Sequence, residues 1–206
     1  MINNFSATNK RVPIYYQGLR RLQKLGIDKV KSSELADYLN IQASTIRRDF
    51  SMIGELGKQG YGYNVDYLVE IFKKELGIKT MHAILIGVGN LGTALLNYDF
   101  EAEFGLVITK AYDANPLLIG KEINGIKIEK LGEGCSIYDD AEIAIVCVNN
   151  ENAQTVVDNL TNCNIRGILN FTTERFASTI KTAVHNVDLS SELLVLAYHV
   201  QKTMGE

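Results

Sequence analysis

At 206 residues and 46% hydrophobic side chains, the chain has material for two compact cores rather than one small module. No apolar run approaches the ~20 residues of a bilayer span, and Met1 to Lys10 is too polar for an export signal, so a soluble cytoplasmic protein without a membrane partner is expected. The net charge of −3 hides an asymmetry: residues 1–80 carry 13 Lys/Arg against 8 Asp/Glu, and the remainder 8 against 16. A basic head of this kind suits nucleic acid, or is simply a solvated basic face.

Apolar residues at helical spacing predict a first helix from about Tyr15 to Leu25, ended by Gly26. Ser32 and Ser33 are expected to cap a second helix, with Glu34 in its first turn, Leu35, Ala36 and Leu39 inward, and Asn40 at its end. A third helix from about Ala43 to Glu55 turns Ile46, Phe50 and Ile53 to the core at about 100° per residue, which leaves Ser44, Arg48 and Ser51 outward with Arg47 on the flank. The glycine-punctuated Gly57-Lys58-Gln59-Gly60-Tyr61-Gly62-Tyr63 reads as a short hairpin in the position of a wing. A connecting helix over Asp66 to Leu76 follows, and the domain boundary is expected near 77–80.

From there short apolar runs alternate with helical stretches. Ile84 to Ile86, Leu106 to Ala111, Ala144 to Val148 and Ile168-Leu169 read as buried strands, and Asn90 to Leu96 and Asn152 to Leu160 as helices, which implies a parallel sheet covered on both faces. Gly87-Val88-Gly89-Asn90-Leu91-Gly92 follows the first of these strands and opens a helix, the context in which GxGxxG binds a dinucleotide. The chemistry needs a tight turn at the first glycine, close approach of the pyrophosphate at the second and close helix–strand packing at the third. Asp113, at the end of the next strand, can accept both ribose hydroxyls and repel a 2′-phosphate. The alternatives are glycines that only turn the chain and an aspartate that caps a loop.

A dehydrogenase also needs a proton-transfer group and room for a substrate domain. His82, His185 and His199 offer weak candidates, and about 125 residues suffice for little beyond the cofactor fold; a small NAD-dependent oxidoreductase is thus the second reading, behind a non-enzymatic sensor. Cys135, Cys147 and Cys163 are odd in number, and no two lie at metal-ligand or redox-pair spacing, so inert thiols and no metal are expected. The last helix, about 190–203, is apolar on almost every side. It is either an inner helix of one subunit or one exchanged between two.

Taken together, Lys10 to Tyr16, Ser32 to Ala36, Thr45 to Ser51, Gly57 to Tyr63, Gly87 to Gly92, Gly167 to Phe171 and Val187 to Leu189 resemble the Rex family of redox-sensing transcriptional repressors. The resemblance implies an N-terminal winged-helix domain, 1–80, and a Rossmann-type α/β domain, 81–206, whose C-terminal helix is swapped in a homodimer. It implies a non-enzymatic repressor that holds a palindromic double-stranded operator when NADH is scarce and leaves it when NADH replaces NAD⁺, controlling fermentative and anaerobic genes. DNA contacts are expected from Lys10, Arg11, Ser44, Thr45, Arg47, Arg48 and Ser51, with Lys58, Gly60, Tyr61 and Tyr63 in the wing. The cofactor would be held by Gly87, Val88, Gly89, Asn90, Leu91, Gly92, Asp113 and Val148, with Tyr98 near the nicotinamide and Leu189 reaching the partner subunit's cofactor. Arg11, Tyr98 and Asp188 resemble the coupling network. Two segments depart from the family pattern: Asn149-Asn150 stands where Val148 is usually followed by proline, and Thr172-Thr173 where Ala-Pro is usual. Met52-Ile53 also replaces the usual Tyr-Phe.

Overall fold

A computed structural model describes residues 7–57, 61–101, 105–132, 134–138 and 140–204. The chain divides into two compact units between Lys79 and Thr80.

The N-terminal unit holds α1 (Ala7–Lys24), β1 (Lys29–Val30), α2 (Ser32–Leu39), α3 (Ala43–Ile53), β2 (Tyr63–Asn64) and α4 (Val65–Glu75). Helix α1 begins eight residues earlier than its periodicity suggests and carries Pro13 internally. A proline there costs one i−4 hydrogen bond, but Val12, Tyr15, Tyr16 and Leu19 are buried on one face, and that packing holds the turn. Ser32 and Ser33 lie inside α2 rather than capping it; the Lys31 N–H donates instead to the Glu34 carboxylate at 2.7 Å. Asn40 ends α2 in the left-handed conformation (φ 52°). In α3 the inward face is as expected: Ile46 and Phe50 are buried, Ile53 packs beside them, and Phe50 meets Tyr15, Phe72 and Tyr63 ring to ring.

The described part of the wing is not a self-contained hairpin. Strand β2 pairs with the distant β1, Lys29 opposite Asn64 and Val30 opposite Tyr63, antiparallel. Lys58 and Gly60 lie outside the described residues.

The second unit is built on β3 (Met81–Ile86), α5 (Asn90–Leu96), β4 (Leu106–Asp113), β5 (Glu122–Ile123), β6 (Ile126–Lys130), β7 (Ile143–Val146), α6 (Asn150–Thr161), β8 (Gly167–Asn170), β9 (Ala183–Asn186) and α7 (Leu189–Met204), with a 3-10 turn over Cys135–Tyr138. Its sheet runs β5-β6-β4-β3-β7-β8-β9, parallel throughout except for the β5–β6 pair. Leaving β5 aside, this is the 3-2-1-4-5-6 order of doubly wound dinucleotide-binding sheets, and the order reverses between β3 and β7. One face of the sheet packs Ile84, Ile86, Ala144 and Val146 on α6 residues Val156, Val157 and Leu160. The other packs Ala83, Leu85, Ala111 and Ile145 around Leu96 of α5. Both faces are covered, as a parallel sheet requires.

Helix α7 is different. Every side chain described from Glu192 to Thr203 is exposed, including Leu194 at 70% and Leu196 at 60%. Among the described residues none covers its apolar side chains, which is not the burial expected of an inner helix of a single subunit.

Candidate nucleotide and nucleic-acid sites

At the switch point, β3 and β7 diverge and open a cavity of about 500 Å³. The glycine loop forms one rim and Cys147, Val148 and Asn149 after β7 form another. Asp113 and Asn115 lie at the end of β4, and Tyr138 and the α6 side chains Asn152, Thr155 and Asn159 complete the walls.

The loop has little freedom to change. Gly87 adopts φ +95°, and a Cβ there would lie 2.7 Å from the Cys147 carbonyl carbon and oxygen. A Cβ on Gly92 would lie 2.1 Å from the Gly87 carbonyl oxygen, so the third glycine lets α5 pack on the turn. A Cβ on Gly89 would meet nothing within 4 Å, and Gly89 lines the cavity. The middle glycine thus leaves open the space into which a pyrophosphate would come, which is the fit a dinucleotide requires. We expect Gly92→Ala to lower the thermal stability of this unit by about 1–3 kcal/mol, because backbone rather than a flexible side chain must yield; calorimetry showing an unchanged transition would mean that the turn relaxes freely.

Asp113 is already engaged. Its Oδ2 accepts from the Val88 N–H at 2.6 Å and its Oδ1 from the Asn115 N–H at 2.7 Å. The carboxylate therefore braces the glycine loop, as the loop-cap alternative has it, and it also lines the cavity. Val88 itself is buried and contributes only backbone to the loop. Asn90, Leu91 and Gly92 belong to α5 and do not line the cavity, and neither do Tyr98 and Leu189. The Tyr98 ring meets Phe100 at 4.5 Å, tilted by 48°, along a separate hollow, and Leu189 is exposed at the start of α7. Asp188 caps that helix, accepting from the Ser190 and Ser191 N–H groups, which with the Ser191 hydroxyl hold its pKa below the usual carboxylate range.

The two departures from the family pattern meet in space. Asn150 Nδ2 donates to Thr173 Oγ1, and the Thr173 N–H donates back to Asn150 Oδ1 at 3.2 Å. Beneath them, buried Asn170 accepts from the Thr172 N–H and hydroxyl and donates to Asn186 at 2.9 Å. Two hydrogen bonds thus join the start of α6 to the loop after β8, tying together the two segments that depart from the family pattern.

In the N-terminal unit, Ser44, Arg47, Arg48 and Ser51 are exposed on α3 and Lys10 on α1, with Thr45 half-buried. Arg47 donates to Ser32 Oγ at 3.0 Å, and the Ser51 hydroxyl donates to the Arg48 carbonyl at 2.7 Å. Tyr61 is 78% exposed, whereas Tyr63 has its ring on Phe50 and serves the core. Arg11 is held in place by a buried acid that sequence reasoning misses. Asp49 accepts from Arg11 Nε at 2.6 Å and Nη2 at 2.8 Å, from the Tyr15 hydroxyl at 2.6 Å and from the Thr8 hydroxyl at 2.9 Å.

Among the described residues no group of His, Cys, Asp and Glu could hold a metal, and no helix is long and apolar enough to cross a membrane.

Residues 78–174 match a family described as "CoA binding domain", and residues 6–51 one described as "Putative DNA-binding protein N-terminus". The redox-sensing transcriptional repressor Rex of Halalkalibacterium halodurans is 45% identical over 95% of this chain and 93% of its own. That of Bacillus subtilis strain 168 is 43% identical over 95% and 91%. The chain belongs to the Rex family of redox-sensing transcriptional repressors. A Rex-family repressor called RSP, crystallised with β-NAD⁺ and operator DNA, superposes with a TM-score of 0.86 at 32% identity, covering 99% of this chain and 95% of that one. RSP with β-NADH superposes with a TM-score of 0.82 at 30% identity, covering 99% and 97%. Repression is the family's role, and the oxidoreductase reading is set aside on that ground.

Proposed function

We propose that this chain binds double-stranded operator DNA through the winged-helix residues 1–80 and NADH or NAD⁺ in the cavity of residues 81–206. NADH binding then releases the DNA, so that repression follows the NADH/NAD⁺ ratio. The observation that carries this reading is the cavity at the β3/β7 switch point, where Gly89 leaves room for a pyrophosphate beside the Asp113 carboxylate. The complexes of RSP with β-NAD⁺ and operator DNA and with β-NADH support it. Titrating an operator complex separately with NAD⁺ and NADH tests it: release by NADH alone is expected, and equal release by both would overturn ratio sensing.

Arg47 and Arg48 read the major groove in this proposal, flanked by Lys10, Ser44, Thr45 and Ser51, with Lys58, Gly60 and Tyr61 at the wing. Arg48→Ala should cost ~1–3 kcal/mol of operator affinity, because a bidentate arginine on guanine is worth that much discrimination. Equal losses on operator and random DNA would reduce Arg48 to a phosphate contact.

Asp113 selects NAD(H) over NADP(H) by accepting ribose hydroxyls and repelling a 2′-phosphate. Asp113→Ala should weaken NADH binding roughly tenfold, the value of a hydrogen bond to a charged group, and narrow the NADH/NADPH gap in fluorescence titrations. An unchanged ratio would leave Asp113 only as a brace for the loop.

Two copies assemble by exchanging α7, about residues 190–203, which brings Leu189 to the partner subunit's cofactor. Arg11, Tyr98 and Asp188 couple the cofactor to the DNA-binding unit: Arg11 holds α3 through Asp49, and Asp188 sets the start of the exchanged helix. By reciprocity, bound operator must lower NADH affinity by the factor through which NADH lowers operator affinity.

A further inference from the structure

Two of the cysteines expected to be inert are joined. Cys135 and Cys163, 28 residues apart, form a disulfide, while Cys147 remains a thiol. The bond spans two walls of the nucleotide cavity. Cys135 opens the 3-10 turn that ends in Tyr138, whose buried ring meets Tyr112 edge-on at 5.7 Å and lines the cavity. Cys163 follows α6, whose Asn152, Thr155 and Asn159 also line the cavity, and its sulfur lies 3.0 Å from the Asn159 carbonyl oxygen. Here the two walls are the crossover from β6 to β7 and the helix after β7, so the bond clamps one end of the cleft between them.

We propose that Cys135 and Cys163 form a reversible disulfide that tunes the dinucleotide cavity, giving the chain a second, thiol-based redox input beside the nucleotide itself. The inference rests on the reading of this cavity as the NAD(H) site. Both cysteines are half-buried, within reach of a small oxidant. Cys147 differs: burial pushes its thiol up to about 12, so it stays protonated and does not compete.

The chemistry balances with hydrogen peroxide as oxidant. A thiolate of the pair attacks one peroxide oxygen, the O–O bond breaks, hydroxide leaves and takes up a proton as water, and a sulfenic acid remains. The second thiol attacks that sulfur; the S–S bond forms, the S–O bond breaks and a second water leaves. Two sulfurs have given two electrons and two protons to one peroxide. A dithiol reductant returns both by thiol–disulfide exchange. Disulfides in a reducing compartment are usually of this transient, redox-sensing kind.

With the clamp closed, the Tyr138 turn and α6 are held together before ligand arrives, so less ordering remains to be done on binding. With it open, the turn must be ordered by the ligand. Peroxide therefore acts in the same direction as a rise in NADH: the oxidised chain takes NADH more readily and holds DNA less well.

The test uses the full chain, treated with hydrogen peroxide or with dithiothreitol, its thiols mapped by mass spectrometry and its NADH affinity measured by fluorescence. We expect a Cys135–Cys163 peptide after peroxide, and NADH affinity higher than in the reduced chain by about threefold or more, the equivalent of one or two side chains ordered in advance. Dithiothreitol should reverse both changes. Cys135→Ser and Cys163→Ser should match the reduced chain under either treatment; if either variant folds poorly, the reduced wild type supplies the same comparison without a substitution. Failure of peroxide to join the two cysteines, or a joined chain with unchanged NADH affinity, would overturn the proposal. Absence of NADH binding in both redox states would overturn it together with the cofactor reading, and is distinguished from those results by having no affinity to compare.

Discussion

Asp49→Ala should destabilise the N-terminal unit by about 3 kcal/mol, the cost typical of removing one partner from a buried ion pair, and should abolish operator binding with it. The carboxylate is 1% exposed and is the common acceptor for Arg11, Tyr15 and Thr8 of α1, while its own backbone sits in α3. It fastens the first helix to the helix that carries Arg47 and Arg48. Without it, a guanidinium whose side chain is one-quarter exposed and a buried tyrosine hydroxyl lose their acceptor, and the register of α3 is no longer fixed. The two hydrogen bonds from Arg11 hold the Asp49 pKa near 2 against an ordinary 3.8, with burial opposing and Tyr15 and Thr8 assisting. The sign follows from that depression: the contribution is fully present above 3.8 and is lost as pH falls through the folded value near 2. Urea unfolding followed by tyrosine fluorescence should show a loss in Asp49→Ala that persists at pH 7, while wild type loses this contribution only below about pH 4. Asp49→Asn, which keeps the shape and one acceptor, should fall between the two. An unchanged midpoint in both variants would mean that α1 and α3 are held by Phe50 and its aromatic neighbours alone.

Why Asp49 escapes a reading of the sequence is instructive. Its position on α3 falls beside Ile46, Phe50 and Ile53 by helical geometry, but a carboxylate on a core-facing flank looks like a mismatch until its cation is known. The cation lies 38 residues earlier in a helix that begins before its hydrophobic period does. Local pattern therefore reads the outward stripe of α3 correctly and leaves the inner ion pair hidden. The Rossmann half follows the same division. The glycine loop and the β3–α5 turn are contiguous in chain, and Asp113 ends the very next strand of the sheet, so all three are legible from order and spacing. Tyr138, Asn152 and Asn159 reach the cavity from a crossover and a helix whose placement depends on the sheet order. The β5–β6 hairpin is a different case. Its Asn124-Gly125 turn, with φ +49° and +78°, is a strong local signal between isoleucines that the alternation of long strands and helices obscures. The Cys135–Cys163 pair carries no spacing signal at all, because only the β6-to-β7 crossover and the return of α6 bring the two together. The Asn150–Thr173 pair is similar: two departures from a pattern are unremarkable singly, and their hydrogen bonds become visible only when β7 and β8 lie side by side.

In the proposed dimer, removing residues 190–206 should yield monomers or aggregate. The helix presents Leu189, Leu193, Leu194, Val195, Leu196, Tyr198 and Val200, each at least 45% exposed, and none of the described residues covers them. Burying a large apolar side chain is worth about 1.5–3 kcal/mol, so seven such residues left in water would be a standing liability. In the proposed dimer, identical copies cover them by exchanging the helix. The cap lies in the same chain: Asp188 accepts from the Ser190 and Ser191 N–H groups, which favours the helical start without a partner. Deletion removes the apolar stripe and at the same time uncovers whatever surface receives it on the partner, which is why aggregate is as consistent an outcome as monomer. The gentler pair Leu193→Asp with Leu196→Asp, three residues apart on one face, should dissociate the dimer without deleting the helix. Sedimentation velocity decides between these cases, and operator binding should fall with dimer content because a palindrome needs two recognition helices at fixed spacing. A truncated chain that still sediments as a dimer would place the interface away from α7, and Leu189 would then have no route to a partner's cofactor.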